Sequence, residues 1–189
     1  MAKRVFIIHG WGGKPSHGFK PWLKQELEQC GFEVFSPQLP NAKNPKMQEW
    51  LEVIRGLVGK PDGETYFVGH SLGCIAVMRY IESLSAGKKV GGAVLVAGFT
   101  DGLAMPELKD FFPYELDFKK IKKHCKKFVA IHSDNDYYID MAHGFELEEK
   151  LGAKLIALHN KGHFSSADGI TELPDALAAV LKIALFRRR

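Results

Sequence analysis

The sequence predicts an α/β protein built on a parallel sheet, and three observations predict it. Short apolar and β-branched runs recur, such as Val5-Phe6-Ile7-Ile8, of the kind expected for strands covered on both faces. Segments with apolar residues at helical spacing lie between them, as with Met47, Trp50, Leu51, Ile54 and Val58. The two patterns alternate along the chain, with no repeat unit, low-complexity tract or linker. Alternation of this kind forces right-handed crossovers and hence a parallel sheet.

The elements follow in order. After the first strand, Phe19 to Gln29 carries Trp22, Leu23 and Leu27 at helical spacing, and Gly31 stops it. Glu33-Val34-Phe35 reads as the second strand, closed by Pro37 and Pro40. A helix over Met47 to Val58 precedes the third strand, Thr65-Tyr66-Phe67-Val68, which runs straight into Gly69-His70-Ser71-Leu72-Gly73. The helix after it passes through Ile75, Met78 and Ile81. Val90 to Ala97, Phe128 to Ile131 and Lys154 to Leu158 are the remaining strands. A helix near Phe145 to Lys150 separates the last two, and Pro174 to Phe186 closes the chain as an apolar helix. Residues 101–124 break the alternation and read as a short insertion, beside the crevice where parallel sheets bind ligands.

Length and composition bound the function. At 189 residues the chain fits one domain, 1–189. Its 46% hydrophobic, 25% charged and 11% aromatic residues match ordinary globular proteins and exclude disordered and fibrous classes. No apolar run approaches the roughly 18 residues of a membrane span, and the four apolar residues after Arg4 are too few for a secretory signal. Cys30, Cys74 and Cys125 are scattered without a CxxC pair, which argues against disulfides and a zinc site, so a reducing cytoplasm is expected. Arg187, Arg188 and Arg189 supply three of the +4 formal charge, leaving the body near neutral. The basic run Lys122 to Lys127 reads as a solvated helix end before a buried strand, and no nucleic-acid-binding pattern is present.

The chemistry centres on Gly69-His70-Ser71-Leu72-Gly73, which fits G-x-S-x-G between a strand and a helix. That turn lifts a serine hydroxyl clear of the sheet, and glycines flank it because a Cβ would collide with neighbouring backbone. A serine hydroxyl is a weak nucleophile, so a histidine must take its proton and a carboxylate must orient that histidine. Of eight histidines, His163 in Lys161-Gly162-His163-Phe164, just beyond the sixth strand, is the first candidate, and His159 the second. His132 falls in or at the end of the fifth strand, and His143 on a helix. For the acid, Asp136 can point back towards His163; Asp134 is an alternative better suited to accepting loop N–H groups, and Asp101 is a third. The oxyanion of an acyl-transfer intermediate needs two backbone donors, expected from Leu72 and, in His9-Gly10-Trp11-Gly12-Gly13, from Trp11. Ile8 and Pro15 break the phosphate-loop pattern, and Pro15 breaks the dinucleotide fingerprint, so this loop is not a nucleotide cradle.

These residues together resemble the small α/β-hydrolase-fold serine hydrolases related to retinoblastoma-binding hydrolase and its short bacterial homologues. The likeness runs from Val5 to Gly10 through Pro21-Trp22-Leu23, Gly69 to Cys74, Gly98-Phe99 and Ser133 to Asp136, to Gly162-His163-Phe164. It implies a minimal three-layer sandwich with six parallel strands in order 2-1-3-4-5-6. It carries the catalytic serine onto Ser71, the acid onto Asp136 and the histidine onto His163. Two departures stand out: Asp140 replaces a proline common after the acid, and the L-x-C-x-E motif of retinoblastoma partners is absent at all three cysteines.

The expected activity is hydrolysis of small carboxylic esters, with amides as a second bond type, through an acyl-enzyme. The absence of a large lid implies an open or shallow site. Neither metal nor organic cofactor is implied, since the histidines lack ligand spacing. Two alternatives remain open: acyl transfer on the same residues, and a non-catalytic binding protein on a hydrolase scaffold. Trp11, Phe99, Phe111, Phe112, Tyr137 and Tyr138 are the candidate substrate-pocket walls. The sequence is silent on oligomeric state.

Overall fold

Strands β1 (Arg4–Ile8), β2 (Glu33–Phe35), β3 (Thr65–His70), β4 (Gly92–Val96), β5 (Phe128–Ser133) and β6 (Lys154–Leu158) form one sheet in a computed structural model that describes residues 2–185. Their order is β2-β1-β3-β4-β5-β6, and every adjacent pair is parallel. Helices α1 (Lys20–Gln29) and α6 (Pro174–Leu185) pack together on one face. Helices α2 (Met47–Val58), α3 (Leu72–Glu82), α4 (Phe118–His124) and α5 (Met141–Leu151) pack in sequence on the other. The registers bring the carboxyl ends of β1, β3, β4 and β5 to one sheet edge. The end of α6 expected at Phe186, and Arg187 to Arg189, lie outside the described residues.

Burial explains the choice of residues. All six residues of β3 are buried, as are all five of β4 and all six of β5, because helices cover both faces. Helix α3 is buried along its whole length, so its sequence Leu72-Gly73-Cys74-Ile75-Ala76-Val77-Met78 shows no polar face. The amphipathic α2 instead buries only Trp50, Leu51, Ile54 and Val58.

Several boundaries differ from those the sequence suggests, β5 among them, which runs on past Ile131 to Ser133. Strand β3 runs on to His70, because Gly69 and His70 keep their ladder bonds to β4. Strand β4 begins at Gly92, and Val90 makes only an isolated bridge to Cys125. Helix α5 starts at Met141, four residues early, because the Asp140 carboxylate caps it by accepting the Ala142 N–H at 2.7 Å. Asp140 thus serves as a cap at the position where a proline was the common residue. Residues 101–124, expected as an insertion, hold a 3₁₀ turn at Pro106–Phe111 and then α4, which makes them the ordinary β4-to-β5 crossover.

The basic run falls where expected. Lys122, Lys123 and His124 close α4, where positive charge suits the negative end of the helix dipole. Cys30 is exposed, Cys74 and Cys125 are buried, and all three are free. No helix among the described residues is long and apolar enough to cross a membrane.

Candidate active site

The Gly69–Gly73 turn joins β3 to α3 with Ser71 at φ +53° and ψ −124°. A non-glycine residue there carries strain of about 1–3 kcal/mol, held by what surrounds it. The glycines are steric necessities. A Cβ on Gly69 would lie 2.7 Å from Cys74 Cα, and one on Gly73 only 2.3 Å from the Ile8 carbonyl. The Ser71 N–H is fixed to the Val96 carbonyl at 2.9 Å, which ties the turn to β4.

His163 sits in the loop after β6, with its Nδ1 2.9 and 3.0 Å from the two Asp136 carboxylate oxygens. An ionised carboxylate only accepts, so Nδ1 carries the proton and Nε2 is left with its lone pair. The pair is well covered, with side-chain exposures of 10% for His163 and 1% for Asp136. Asp136 Oδ1 also accepts the N–H groups of Tyr138 and Ile139, at 2.9 and 3.1 Å.

Neighbouring residues of the two loops are joined one after another. Asp134 Oδ1 accepts the Asn160 N–H, Ser133 Oγ accepts that of Lys161, and Asn135 Oδ1 accepts that of Gly162. Asp134 is thus a loop acceptor, as the sequence suggests, and its carboxylate also binds His159. His159 is 79% exposed on its side chain and lines neither cavity at Ser71. Asp101 accepts the Leu103 N–H at 2.7 Å and does not meet His163.

The loop after β1 closes against the nucleophile. A Cβ on Gly10 would lie 2.9 Å from the His70 carbonyl and 3.0 Å from Ser71 Cβ. The His9 ring pins this loop, bonding the Gly10 carbonyl through Nδ1 at 2.8 Å and accepting the Leu39 N–H at Nε2 at 2.9 Å. Trp11 is held by its indole N–H on the Lys43 carbonyl. Among the described residues, the backbone N–H groups of Trp11 and Leu72 have no hydrogen-bond acceptor, and neither does the Ser71 hydroxyl.

Ser71 and His163 both line two adjoining cavities. The first, of about 300 Å³, is apolar, with walls from Trp11, Phe99, Leu103, Met105, Leu108, Tyr138 and Ile139. The second, of about 350 Å³, lies between the β1 loop, the start of α1 and the loop after His163, and Tyr137 belongs to it. Two expected wall residues are corrected. Phe111 is fully buried against Trp50, with ring centroids 5.3 Å apart, so it is core. Phe112 packs behind Phe99 at 5.9 Å and meets Arg79, outside both cavities.

Several contributors were not singled out from the sequence. Asp168 Oδ2 accepts the His163 N–H, the Ser165 N–H and the Ser165 hydroxyl, fixing the histidine loop. Burial pushes its carboxyl up, but the bonds from Ser165, Tyr137 and His163 outweigh that and hold it below the usual range. His70 bonds the His163 carbonyl at 2.8 Å, and burial keeps its ring neutral, with the nearby His163 ring and Lys20 also disfavouring its charged form. His132, buried in β5, is pushed down to about 4 by burial, against the pull of Asp136. Lys20 is 4% exposed, lines the second cavity, and burial lowers its amine to about 8. Tertiary folding assembles these groups, and Asp168, five residues after His163, carries no motif that sets it apart from other loop carboxylates. Among the described residues, no cluster of three His, Cys, Asp or Glu side chains is placed to hold a metal ion.

A six-stranded parallel sheet in this order, with a strained serine turn between β3 and α3, defines an α/β hydrolase fold. Residues 5–182 match the family model for serine hydrolases, and the chain belongs to that family. It is 33% identical over 175 residues to YdeN of Bacillus subtilis (strain 168), covering 92% of each chain. It is 28% identical over 170 residues to the serine hydrolase RBBP9 of Rattus norvegicus, covering 87% of this chain and 89% of that one. The crystal structure of the B. subtilis ydeN product superposes with a TM-score of 0.91 over 98% of this chain and 100% of that one. Est1E from Butyrivibrio proteoclasticus shares the fold at 13% identity, with a TM-score of 0.76 over 98% and 89% of the two chains.

Proposed function

We propose that the protein hydrolyses small carboxylic esters through an acyl-enzyme on Ser71. The observation that carries this reading is the His163–Asp136 pair, at 2.9 Å, opening onto the same cavities as a serine on a strained strand-to-helix turn. In this reading His163 Nε2 takes the Ser71 proton as Oγ bonds to the ester carbonyl carbon. The carbonyl oxygen becomes an oxyanion, held by the free N–H groups of Trp11 and Leu72. The imidazolium, stabilised by Asp136, then passes its proton to the leaving alcohol as the ester C–O bond breaks. Water attacks the acyl-serine by the same route in reverse and restores the hydroxyl.

No hydrogen bond joins Ser71 Oγ to His163 among the described residues, and catalytic bonds of this type commonly tighten only with substrate bound. The apolar first cavity supports a small acyl group as its occupant. A fluorophosphonate probe tests the reading directly. Labelling of the wild type that disappears in Ser71→Ala is expected, and equal labelling of both proteins ends it.

A further inference from the structure

Beside the apolar cavity the second one has a different character, and its least ordinary member is Lys20. The residue is 4% exposed at the start of α1, in a wall that also includes His17, Gly18 and Ser166. Lysine is almost never buried to this extent unless paired. Yet among the described residues Lys20 makes no ion pair and donates no side-chain hydrogen bond; its ammonium lies 5.4 Å from the centre of the Phe19 ring. The other titratable groups lining its cavity are His17, His70, His163, Tyr137 and Tyr138, with His9 behind, and none of them is a carboxylate.

The surroundings point the same way. No side chain caps the N-terminus of α1, whose positive end begins at this wall. The Ser166 hydroxyl accepts the Gly18 N–H at 2.7 Å and keeps its own proton to donate. A buried, unpaired cation, a hydroxyl donor and an uncapped helix start therefore face one space that also reaches Ser71. A neutral or cationic ligand would leave the ammonium uncompensated, whereas an anion would pair with it.

We propose that this cavity is a subsite for a carboxylate carried by the substrate, with Lys20 as its counter-charge. It rests on the hydrolase reading and deepens it: the substrates are esters with one apolar limb, in the first cavity, and one carboxylate-bearing limb, beside Lys20. Burial lowers the amine to about 8, so the subsite is cationic at neutral pH and loses its charge as the pH rises beyond that.

The test is calorimetric titration of glutarate, and of its uncharged diamide, into Ser71→Ala and Ser71→Ala/Lys20→Met at pH 7 and pH 10. Glutarate is expected to bind Ser71→Ala about tenfold more tightly than the diamide at pH 7, the scale of one charge-assisted bond. That preference disappears in the double variant and at pH 10. Equal affinity for the two ligands, or a preference that survives Lys20→Met, overturns the subsite. In turnover, Lys20→Met is expected to lower kcat/KM about tenfold more on a glutarate monoester than on its methyl-capped analogue. The readings separate cleanly. Fluorophosphonate labelling of Ser71 without any carboxylate preference overturns the subsite alone, whereas Lys20-dependent glutarate binding without labelling supports the subsite and overturns the hydrolase reading.

Discussion

The two sides of the cleft at Ser71 are built differently. On one side, the loops after β5 and β6 are joined residue by residue, from Asp134–Asn160 through Ser133–Lys161 and Asn135–Gly162 to Asp136–His163. Asp168 and His70 add further bonds to the backbone of His163. On the other side, the wall from Leu103 to Leu108 is apolar, and Leu103 and Ala104 both adopt positive φ. Its anchors lie just beyond the wall: the buried Arg79 bonds the carbonyls of Phe111 and Tyr114 and pairs with Glu82 at 2.8 Å. Polar bonds are directional and hold a proton path to a fraction of an ångström, whereas apolar contacts only exclude water and tolerate exchange. Under the proposed mechanism, the difference assigns the proton transfer to one side and the acyl preference to the other.

Substitutions can break this contrast or sharpen it. On the polar side, Ser71→Ala is expected to lower ester hydrolysis at least about 10,000-fold while leaving the fold intact, read by turnover and thermal unfolding. Asp136→Asn should lower kcat about 1,000-fold or more, because an amide can leave His163 in the wrong tautomer. An effect of only a few fold would mean that the Asp136 contact does not orient the histidine.

Lys20→Met tests a cost of the site. A lysine with its amine lowered to about 8 binds its proton less tightly folded than unfolded, so its burial penalty is complete below pH 8. Lys20→Met is therefore expected to be more stable than wild type by roughly 3 kcal/mol at pH 7. The gap should shrink as the pH rises from about 8 to 10.5, which urea unfolding at several pH values measures.

Asp168→Ala removes the acceptor for two N–H groups and a hydroxyl around His163. A fall in kcat of about tenfold with little change in KM is expected, since the residue positions the base without touching substrate. Met105→Ala is the mildest. With Met105 39% exposed, stability should hardly change, while kcat/KM shifts a few fold towards longer acyl chains. A kcat loss from Met105→Ala as large as that from Asp168→Ala would erase the contrast between the two sides.

Much of this was legible in the sequence because it is written locally. The apolar runs at Val5 to Ile8 and Thr65 to Val68 named their strands, and Gly69 to Gly73 named the strained turn, since each depends on neighbours a few residues away. Asp136 stood ahead of Asp134 by its place at the far side of one turn and by analogy with how the acid is placed in this fold. The pocket walls were less legible. Phe111 and Phe112 are adjacent and chemically alike, and only packing against Trp50 and Phe99 decided that neither faces the cleft. The start of α5 was missed because the capping power of Asp140 depends on where the following N–H groups point.

What the chain determined by itself is the order of its elements and the identity of the reactive turn, because periodicity, glycine and proline act over short range. Tertiary structure alone decided that Asp168 and His70 hold the backbone of His163, that Leu103, Met105 and Leu108 wall the cleft, and that the Lys20 amine is buried in it without a carboxylate. Those are relations between residues many positions apart, and hydrogen bonding and desolvation depend on distance in space rather than along the sequence.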